Sequence, residues 1–402
     1  MINKILTYFF LSATFIGFSE SWTQKANFGG PARHRVTAFS IGNKGYLGLG
    51  HINSVTNILY DDFWEYDPSS NSWTQKANYP YLCYHATGFS IGNKAYVGTG
   101  RKQDNSYTTD FFVFDPITNT WTPISNFPGT SRRGAVSFVI NGKGYVGTGQ
   151  TTSGGSNNFY EFDASTGIWN QISDFPGSSR TSSVAFSIDS LGYVGTGNSG
   201  GGTNDFWAYH PTTNIWVQKA NVGSIPRQEA TGFSVNGKGY IGTGDDFSSG
   251  TNFGDMLEYD PITDIWIQID DFSGVPRRYL ASMVIENVAY VGTGTSGANF
   301  RDFWRFDRSL GLNKHKSSIN IIVSTYPNPS TEKITFEIEN LNSIQFNNLQ
   351  LSIFSIHGKI ISIQKFKTNK LIIEKNNFSS GLYYFSIDGD NSNLKTGSFI
   401  FK

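Results

Sequence analysis

Between Trp22 and Asp307 the chain carries eleven arginines, and ten of them recur at related places in the sequence. Arg33, Arg132, Arg180, Arg227 and Arg277 each stand six residues before a marker (Phe39, Phe138, Phe186, Phe233 or Met283), and Cys83 takes that place before Phe89. Arg35, Arg133 and Arg278 follow one or two residues later, Arg101 and Arg301 lie in loops, and Arg305 falls elsewhere. A guanidinium is a planar fork of donors that fits carboxylate, sulfate or phosphate groups bidentately. The pattern therefore predicts a ring of anion-binding forks, with Arg33, Arg132, Arg180, Arg227, Arg277, Arg101 and Arg301 as ligand-binding residues. A protein or an anionic glycan is the expected ligand.

Other chemistry is sparser. Glu229 is the only carboxylate between any of these positions and its marker, which makes it the candidate for a catalytic acid or base. His34, His51 and His85 share the arginine side of the repeat, Cys83-Tyr84-His85 are consecutive, and His210 belongs to the opposite side. Tyr81, Tyr107 and Tyr279 are placed to stack on a sugar or a peptide. The repeated Gly-x-Gly sequences precede no helix, so they do not read as a nucleotide loop. Asp245-Asp246 and Asp388-Gly389-Asp390 lack calcium-loop spacing and read as solvated turns. No metal and no cofactor are expected.

The elements that must position these groups follow from a repeat. Trp22, Trp73, Trp121, Trp169, Trp216 and Trp266 recur at intervals of 51, 48, 48, 47 and 50 residues. Each is followed by an apolar run ending at the marker, a turn, a Tyr-Val-Gly-Thr-Gly-like strand, a variable Gly/Ser/Asn-rich loop and an aromatic strand such as Asp205-Phe206-Trp207-Ala208-Tyr209. Asn141-Gly142 and Asn236-Gly237 suit two-residue hairpins, and Asp-Pro ends the third strand because proline donates nothing to a ladder. A four-stranded antiparallel unit cannot bury both faces alone, whereas six packed in a ring can. The chain enters at the Trp strand and leaves after Asp302–Asp307, so the last unit lacks its fourth strand and Trp22 with its neighbours should supply it.

Charge and composition exclude several classes. The 402 residues carry 31 basic and 31 acidic side chains, which argues against binding by phosphate neutralisation along a nucleic acid. The balance is uneven: 19 basic against 24 acidic residues from Trp22 to Asp307, and 11 against 6 from Arg308 to Lys402. The single cysteine excludes an internal disulfide. Lys4 followed by the apolar run Ile5 to Ile16 and by Gly17-Phe18-Ser19 reads as a signal peptide over residues 1–19. No other stretch is apolar enough to span a membrane, so an extracellular or outer-membrane-attached product is expected.

These residues also carry two resemblances. The order of glycine-rich strand, aromatic-Asp-Pro strand, Trp and Pro-Arg over Trp22 to Asp307 resembles the kelch repeat, with Gly-Thr-Gly where paired glycines are usual. It implies an all-β fold, a six-bladed kelch-type β-propeller closed by its N-terminal strand over residues 20–307. A kelch arginine could equally staple the ring by bonding backbone carbonyls of an adjacent blade, and both roles stay open. Carbohydrate-active kelch proteins suggest an enzyme as the alternative. A sialic-acid epimerase-like activity would need a base such as Glu229 near arginines, and a galactose-oxidase-like one would need a Cys-linked tyrosine beside paired histidines.

After a linker over residues 308–320, the segment 321–402 turns rich in Ile, Phe and Lys. Alternating runs at Lys333 to Ile338, Leu349 to Phe354, Leu371 to Ile373, Leu382 to Ile387 and Gly397 to Phe401 predict a small β-sandwich. Tyr326-Pro327-Asn328-Pro329-Ser330, Gly358-Lys359 and Gly381-Leu382-Tyr383-Tyr384 resemble, in that order, the type A sorting domain of the Bacteroidetes type IX secretion system. The resemblance implies export across the outer membrane, with the secretion machinery as a partner.

Overall fold

In Thr37–Ile41, Val136–Ile140 and their counterparts, alternate residues are buried, the period expected of a strand with one face in a core. The computed structural model describes residues 21–53, 57–307, 322–339, 349–355, 360–389 and 392–402. The signal peptide and the linker, together with the Gly358-Lys359 turn, lie outside the described residues. The chain divides into two compact units, Met1–Asp307 and Arg308–Lys402.

The first unit contains, among the described residues, six four-stranded antiparallel sheets. Sheet 1 runs Thr37–Ile41, Lys44–Gly48, Phe63–Asp67 and Ser72–Lys76, each strand pairing with the next in sequence. Sheets 2 to 5 repeat this order from Thr87 to Pro123, Val136 to Ile172, Val184 to Lys219 and Thr231 to Ile269. Sheet 6 takes Ala281–Ile285, Val288–Gly292 and Phe303–Phe306 from the end of the unit and Trp22–Lys25 from its start, with Trp22 opposite Phe306.

Neighbouring sheets share apolar cores. Phe233 and Tyr240 of sheet 5 pack with Trp22 and Phe306 of sheet 6, and Met283, Tyr290 and Phe303 of sheet 6 pack with Leu47 and Tyr66 of sheet 1. The marker residue drives this contact. A Cβ on Gly192 would lie 2.1 Å from Phe138 of the preceding sheet, and one on Gly45 would lie 2.2 Å from Met283, so the second strand must yield space there. The outer tryptophans add polar ties: the indole N–H of Trp73 donates to the Ala26 carbonyl and that of Trp266 to the Ala220 carbonyl, each at 3.0 Å.

The arginines at the marker-minus-six position prove to be internal struts. Arg33, Arg132, Arg180, Arg227 and Arg277 are at most 1% exposed. Arg180 donates through Nε to the Ser178 carbonyl (2.8 Å), through Nη1 to the Thr196 carbonyl (3.0 Å) and through Nη1 and Nη2 to Asp205, the latter at 2.8 Å. Arg33, Arg227 and Arg277 repeat the carboxylate pairing with Asp62, Asp255 and Asp302, and Arg132 meets Asn158 at 2.7 Å. Each partner precedes the third strand of the same sheet, so the staple closes its own blade rather than reaching the next one. Burial alone would raise the carboxyl pKa of Asp205 and Asp302, but the arginine bonds outweigh it and hold both below the usual range. The expectation that these five bind ligand is thereby corrected: all five are buried and bonded within their own blades, although Arg132 Nη2 and Arg227 Nε find no partner among the described residues. Arg301 is exposed.

Sheet 2 solves the same problem without arginine. Cys83 occupies the position, fully buried, and Asp110 is met instead by Lys102 at 2.8 Å and the Tyr81 hydroxyl at 3.1 Å. The lysines also find partners at the other end of the sheets, where Lys44 and Lys238 reach Asp67 and Asp260 at 2.6 and 2.7 Å.

In the second unit Ile322–Tyr326, Lys333–Glu339 and Lys370–Glu374 form one sheet, and Ile360–Phe366, Leu349–Phe354, Gly381–Gly389 and Ser392–Phe401 form another. Ile334, Phe336, Leu351, Ile353, Phe385 and Phe399 lie in their common core. Asn328 and Ser330 clasp the last strand: Asn328 Oδ1 accepts from the Ile400 N–H and the Ser330 N–H donates to the Ile400 carbonyl, both at 2.9 Å. Two strands, Ile322–Tyr326 and Ile360–Phe366, add to the five expected, and Asp388-Gly389 extends a strand instead of starting a turn.

Two stability predictions follow from these contacts. Trp22→Ala removes the buried anchor of the strand that completes sheet 6 and is expected to cost about 3–5 kcal/mol, read as a lower urea midpoint at unchanged slope. An unaltered midpoint would count against that pairing. Arg180→Lys keeps the charge but loses the fork and the Nε bond, and is expected to destabilise by about 1.5–3 kcal/mol.

Candidate functional site

The residues just after each staple build the axial mouth. Two positions on, Arg35, His85, Gly134, Ser182, Glu229 and Tyr279 all have a positive φ, between 54° and 61°. Their backbones are linked: the N–H of His85 donates to the Arg35 carbonyl, Gly134 to His85, Ser182 to Gly134, Glu229 to Ser182 and Tyr279 to Glu229, at 2.8–3.2 Å. This region is comfortable for glycine and tolerable for asparagine, as at the hairpin residues Asn71, Asn141 and Asn214. Arginine, glutamate and tyrosine are not chosen for such a backbone, so five of these six positions hold a side chain at a conformational cost.

One position on from each staple, a second tier of residues is bridged to the loop that follows the second strand. The pairs are His34 with His51, Tyr84 with Arg101, Arg133 with Gln150, Thr181 with Asn198, Gln228 with Asp245, and Arg278 with Thr295. The two tiers bring Arg35, Arg101, Arg133 and Arg278 together with Glu229, Asp245, Tyr84, Tyr279 and three histidines.

Glu229 is the centre of one side. Its side chain is 11% exposed, accepts a very short hydrogen bond from the Tyr279 hydroxyl, and lies 3.3 Å from Arg278 Nε and 4.0 Å from Arg35. Arg35 also donates to the Tyr279 hydroxyl, and its guanidinium lies 4.1 Å from the centre of that ring. Burial pushes the Glu229 carboxyl up to about 7, with Asp245 adding to the rise and Arg35 and Arg278 opposing it. Asp245, only 1% exposed, is paired with Arg278, so it belongs to the mouth and is not the solvated turn expected of it. Asp246 fits that expectation, capping Ser249 at 2.9 Å.

The histidines stack rather than ionise. His51 lies 3.9 Å from Tyr84 and 4.3 Å from His34, ring centre to ring centre, and Arg35 Nη1 sits 3.1 Å from His51 Nε2. Burial, followed by the neighbouring charges, lowers His34 to about 3, and burial with Arg35, Arg133 and Arg101 brings His51 to about 4 despite its bond to Asn57. Burial also holds His85 well below its ordinary value. The His85 ring fills the space over Gly134, where a Cβ would lie 2.7 Å from Cε1. All three are neutral at neutral pH.

On the other side Arg101 Nη1 donates to the Tyr84 hydroxyl at 3.0 Å and Arg133 Nη1 to the same oxygen at 3.5 Å, with the Tyr107 ring 5.7 Å from Arg133. A cavity of about 110 Å³ opens beside Arg278 and Tyr279, bounded also by His34, Arg35, Thr295 and Asn299. Buried nitrogens of Arg35, Arg101 and Arg133, all Nε, together with His85 Nδ1, make no hydrogen bond within the described protein.

Of the residues singled out in sequence, Glu229, Tyr279, Arg35, Arg101, Arg133, Arg278 and the three histidines reach this site. Tyr81 is spent on Asp110, and the Cys83 thiol faces the carbonyls of Thr99 and Tyr84 at 3.7 and 3.8 Å inside a core, its pKa pushed up to about 12 by burial. Gln228 was missed and Asp245 was read as a turn residue, although the bridge between the two loops recurs in every sheet.

Comparison with known proteins gives three findings. A family model described as the KLHDC2/KLHL20/DRC7 Kelch-repeats domain matches residues 33–244, and one described as the secretion system C-terminal sorting domain matches residues 324–402. No curated protein matches. The solved structure of YjhT is similar with a TM-score of 0.60 and 18% identity, over 69% of this chain and 96% of that one, a likeness of fold alone. The sorting tail marks the protein for export by the type IX secretion system to the cell surface or beyond, and with its staples, blades and matching model this chain belongs to the kelch-repeat family.

Proposed function

We propose that the propeller is a secreted binding module whose axial mouth recognises an acidic ligand, a carboxylated or sulfated glycan or an acidic protein segment. The observation that carries this reading is the convergence of Arg35, Arg101, Arg133 and Arg278, of which Arg101 and Arg133 have no carboxylate within ion-pair distance among the described residues. A ligand oxyanion would compensate that charge, and charge-assisted bonds in a desolvated site contribute about 1.5–3 kcal/mol each. Residues 1–19 act as the signal peptide and the C-terminal unit as the export signal.

Glu229 favours a second reading, a carbohydrate-active enzyme. A carboxyl brought to about 7 by burial and joined to a tyrosine hydroxyl can take up and return a proton at neutral pH, the property required of an acid–base group in epimerisation. NMR exchange measurements on acidic sugars separate the two: catalysis lost in Glu229→Gln with binding retained supports the enzyme, and no rate above buffer retires it.

Binding is expected to depend on pH with a definite sign. Below about pH 7 Glu229 is neutral and no longer repels an anion beside Arg35, Arg278, Asp245 and Arg133, while the histidines stay uncharged until far lower pH. Affinity for anionic ligands on a glycan array should therefore rise several-fold from pH 8 to pH 6 and become nearly flat in Glu229→Gln. Arg35→Gln or Arg278→Gln should weaken binding tenfold or more, whereas Arg180→Lys should lower the melting temperature and leave the affinity of the folded protein intact. Deleting residues 320–402 should leave a folded propeller in the periplasm; normal amounts at the cell surface would remove the export role.

A further inference from the structure

The charges of the mouth do not balance, and the imbalance is local. Arg35 and Arg278 face Glu229, and Arg278 also holds Asp245, so that side contains two cations and two carboxylates. Arg101 and Arg133 come from adjacent blades and have no carboxylate within ion-pair distance among the described residues. Both instead direct Nη1 at one neutral oxygen, the Tyr84 hydroxyl, at 3.0 and 3.5 Å. Each also holds a buried Nε–H without an acceptor. The surrounding rings add no charge, because His51 and His85 are kept neutral by burial and by neighbouring arginines, Arg35 and Arg133 for both.

Two guanidinium ions sharing one hydroxyl repel each other, and partial burial strengthens the repulsion by lowering the local dielectric. Four of the five buried staple arginines, Arg33, Arg180, Arg227 and Arg277, are each met by an aspartate, and Arg132 is met by the Asn158 amide oxygen. Arg101 and Arg133 have no such carboxylate among the described residues, and both remain partly exposed. A singly charged group would leave one positive charge uncompensated, whereas a compact doubly charged oxyanion would neutralise both.

We propose that Arg101, Arg133 and the Tyr84 hydroxyl form a subsite for a dianionic tetrahedral oxyanion, free or as the terminal monoester group of a small ligand. This rests on the reading of the mouth as an anion site and specifies the charge and shape of what it takes. The Tyr107 face beside Arg133 then flanks whatever the oxyanion is attached to.

Isothermal titration of the full chain at pH 7.5 tests it with small probes. Sulfate and methanesulfonate share a tetrahedral shape and differ by one charge. Sulfate should bind at least tenfold more tightly, and Arg101→Gln or Arg133→Gln should remove most of that preference while leaving the ligand-free melting temperature unchanged or raised. Tyr84→Phe should weaken sulfate less than either arginine change. Phenyl phosphate binding as well as inorganic phosphate places the group on a monoester, and binding of inorganic phosphate alone makes this a free-ion site; both support the dianion. Equal affinity for sulfate and methanesulfonate, or a preference that survives both arginine changes, overturns the subsite while the wider anion reading stands. If no anion of either charge binds and Arg35→Gln and Arg278→Gln also change nothing, the wider reading itself fails.

Discussion

One set of backbone hydrogen bonds holds the propeller in register. The second glycine of each Gly-Thr-Gly or Gly-Leu-Gly donates to the carbonyl of the staple-position residue in the next sheet: Gly50 to Cys83, Gly100 to Arg132, Gly149 to Arg180, Gly197 to Arg227, Gly244 to Arg277 and Gly294 to Arg33, at 2.7–3.0 Å. Each donor has φ between 87° and 105°, where glycine is required. The acceptor must also be fixed, and in five of the six sheets a buried guanidinium fixes it by tying its own loop to the carbonyl just after strand two and to the residue before strand three, an aspartate in four and Asn158 in the fifth. Staple and ring are thus one device: the side chain orders a loop within a blade, and the ordered carbonyl receives the neighbouring blade.

That device leaves the next two residues free to vary. Their backbone is dictated by the inner hydrogen-bonded tier and their side chains are not, which is why Arg35, His85, Gly134, Ser182, Glu229 and Tyr279 can occupy one conformation with six different chemistries. Glycine would fit all six without strain. The use of bulky or charged residues at four of them is therefore better explained by what the side chains do at the axis than by the needs of the chain. The same contrast separates these residues from the asparagines of the hairpin turns, which need no such account.

The strands were legible because each repeats an alternation that only a half-buried strand satisfies, and because six tryptophans set the period. The role of the arginines was not. Arg33 and Asp62 lie 29 residues apart and Arg180 and Asp205 lie 25 apart, since a loop of variable length intervenes. A spacing that drifts hides an ion pair from sequence, and five buried struts looked like a ring of ligand donors. Glu229 could be singled out because it is a lone carboxylate beside the repeat position, whereas Asp245 could not, because its burial depends on a bridge to Gln228 across two loops. In the C-terminal unit Ile360–Phe366 was hidden for a different reason: exposed Ile361 and Ile363 blur the apolar alternation of a strand at the edge of its sheet.

The placement of charge also constrains how an anion could be recognised here. The propeller segment from Trp22 to Asp307 carries five more acidic than basic residues, so its distant field repels an anion instead of drawing it in. That field is screened beyond roughly 8–10 Å at physiological salt, and inside that distance the arginines of the mouth dominate. Recognition of this kind is decided at contact, by forks whose water has been removed, and not by steering. It should be slower to form than an association guided by a basic surface, and less sensitive to salt once formed. It also discriminates, because a polyanion attracted by charge alone gains nothing from an acidic exterior, whereas a ligand that can place one oxyanion among Arg101, Arg133 and Tyr84 gains at the axis what the exterior withholds.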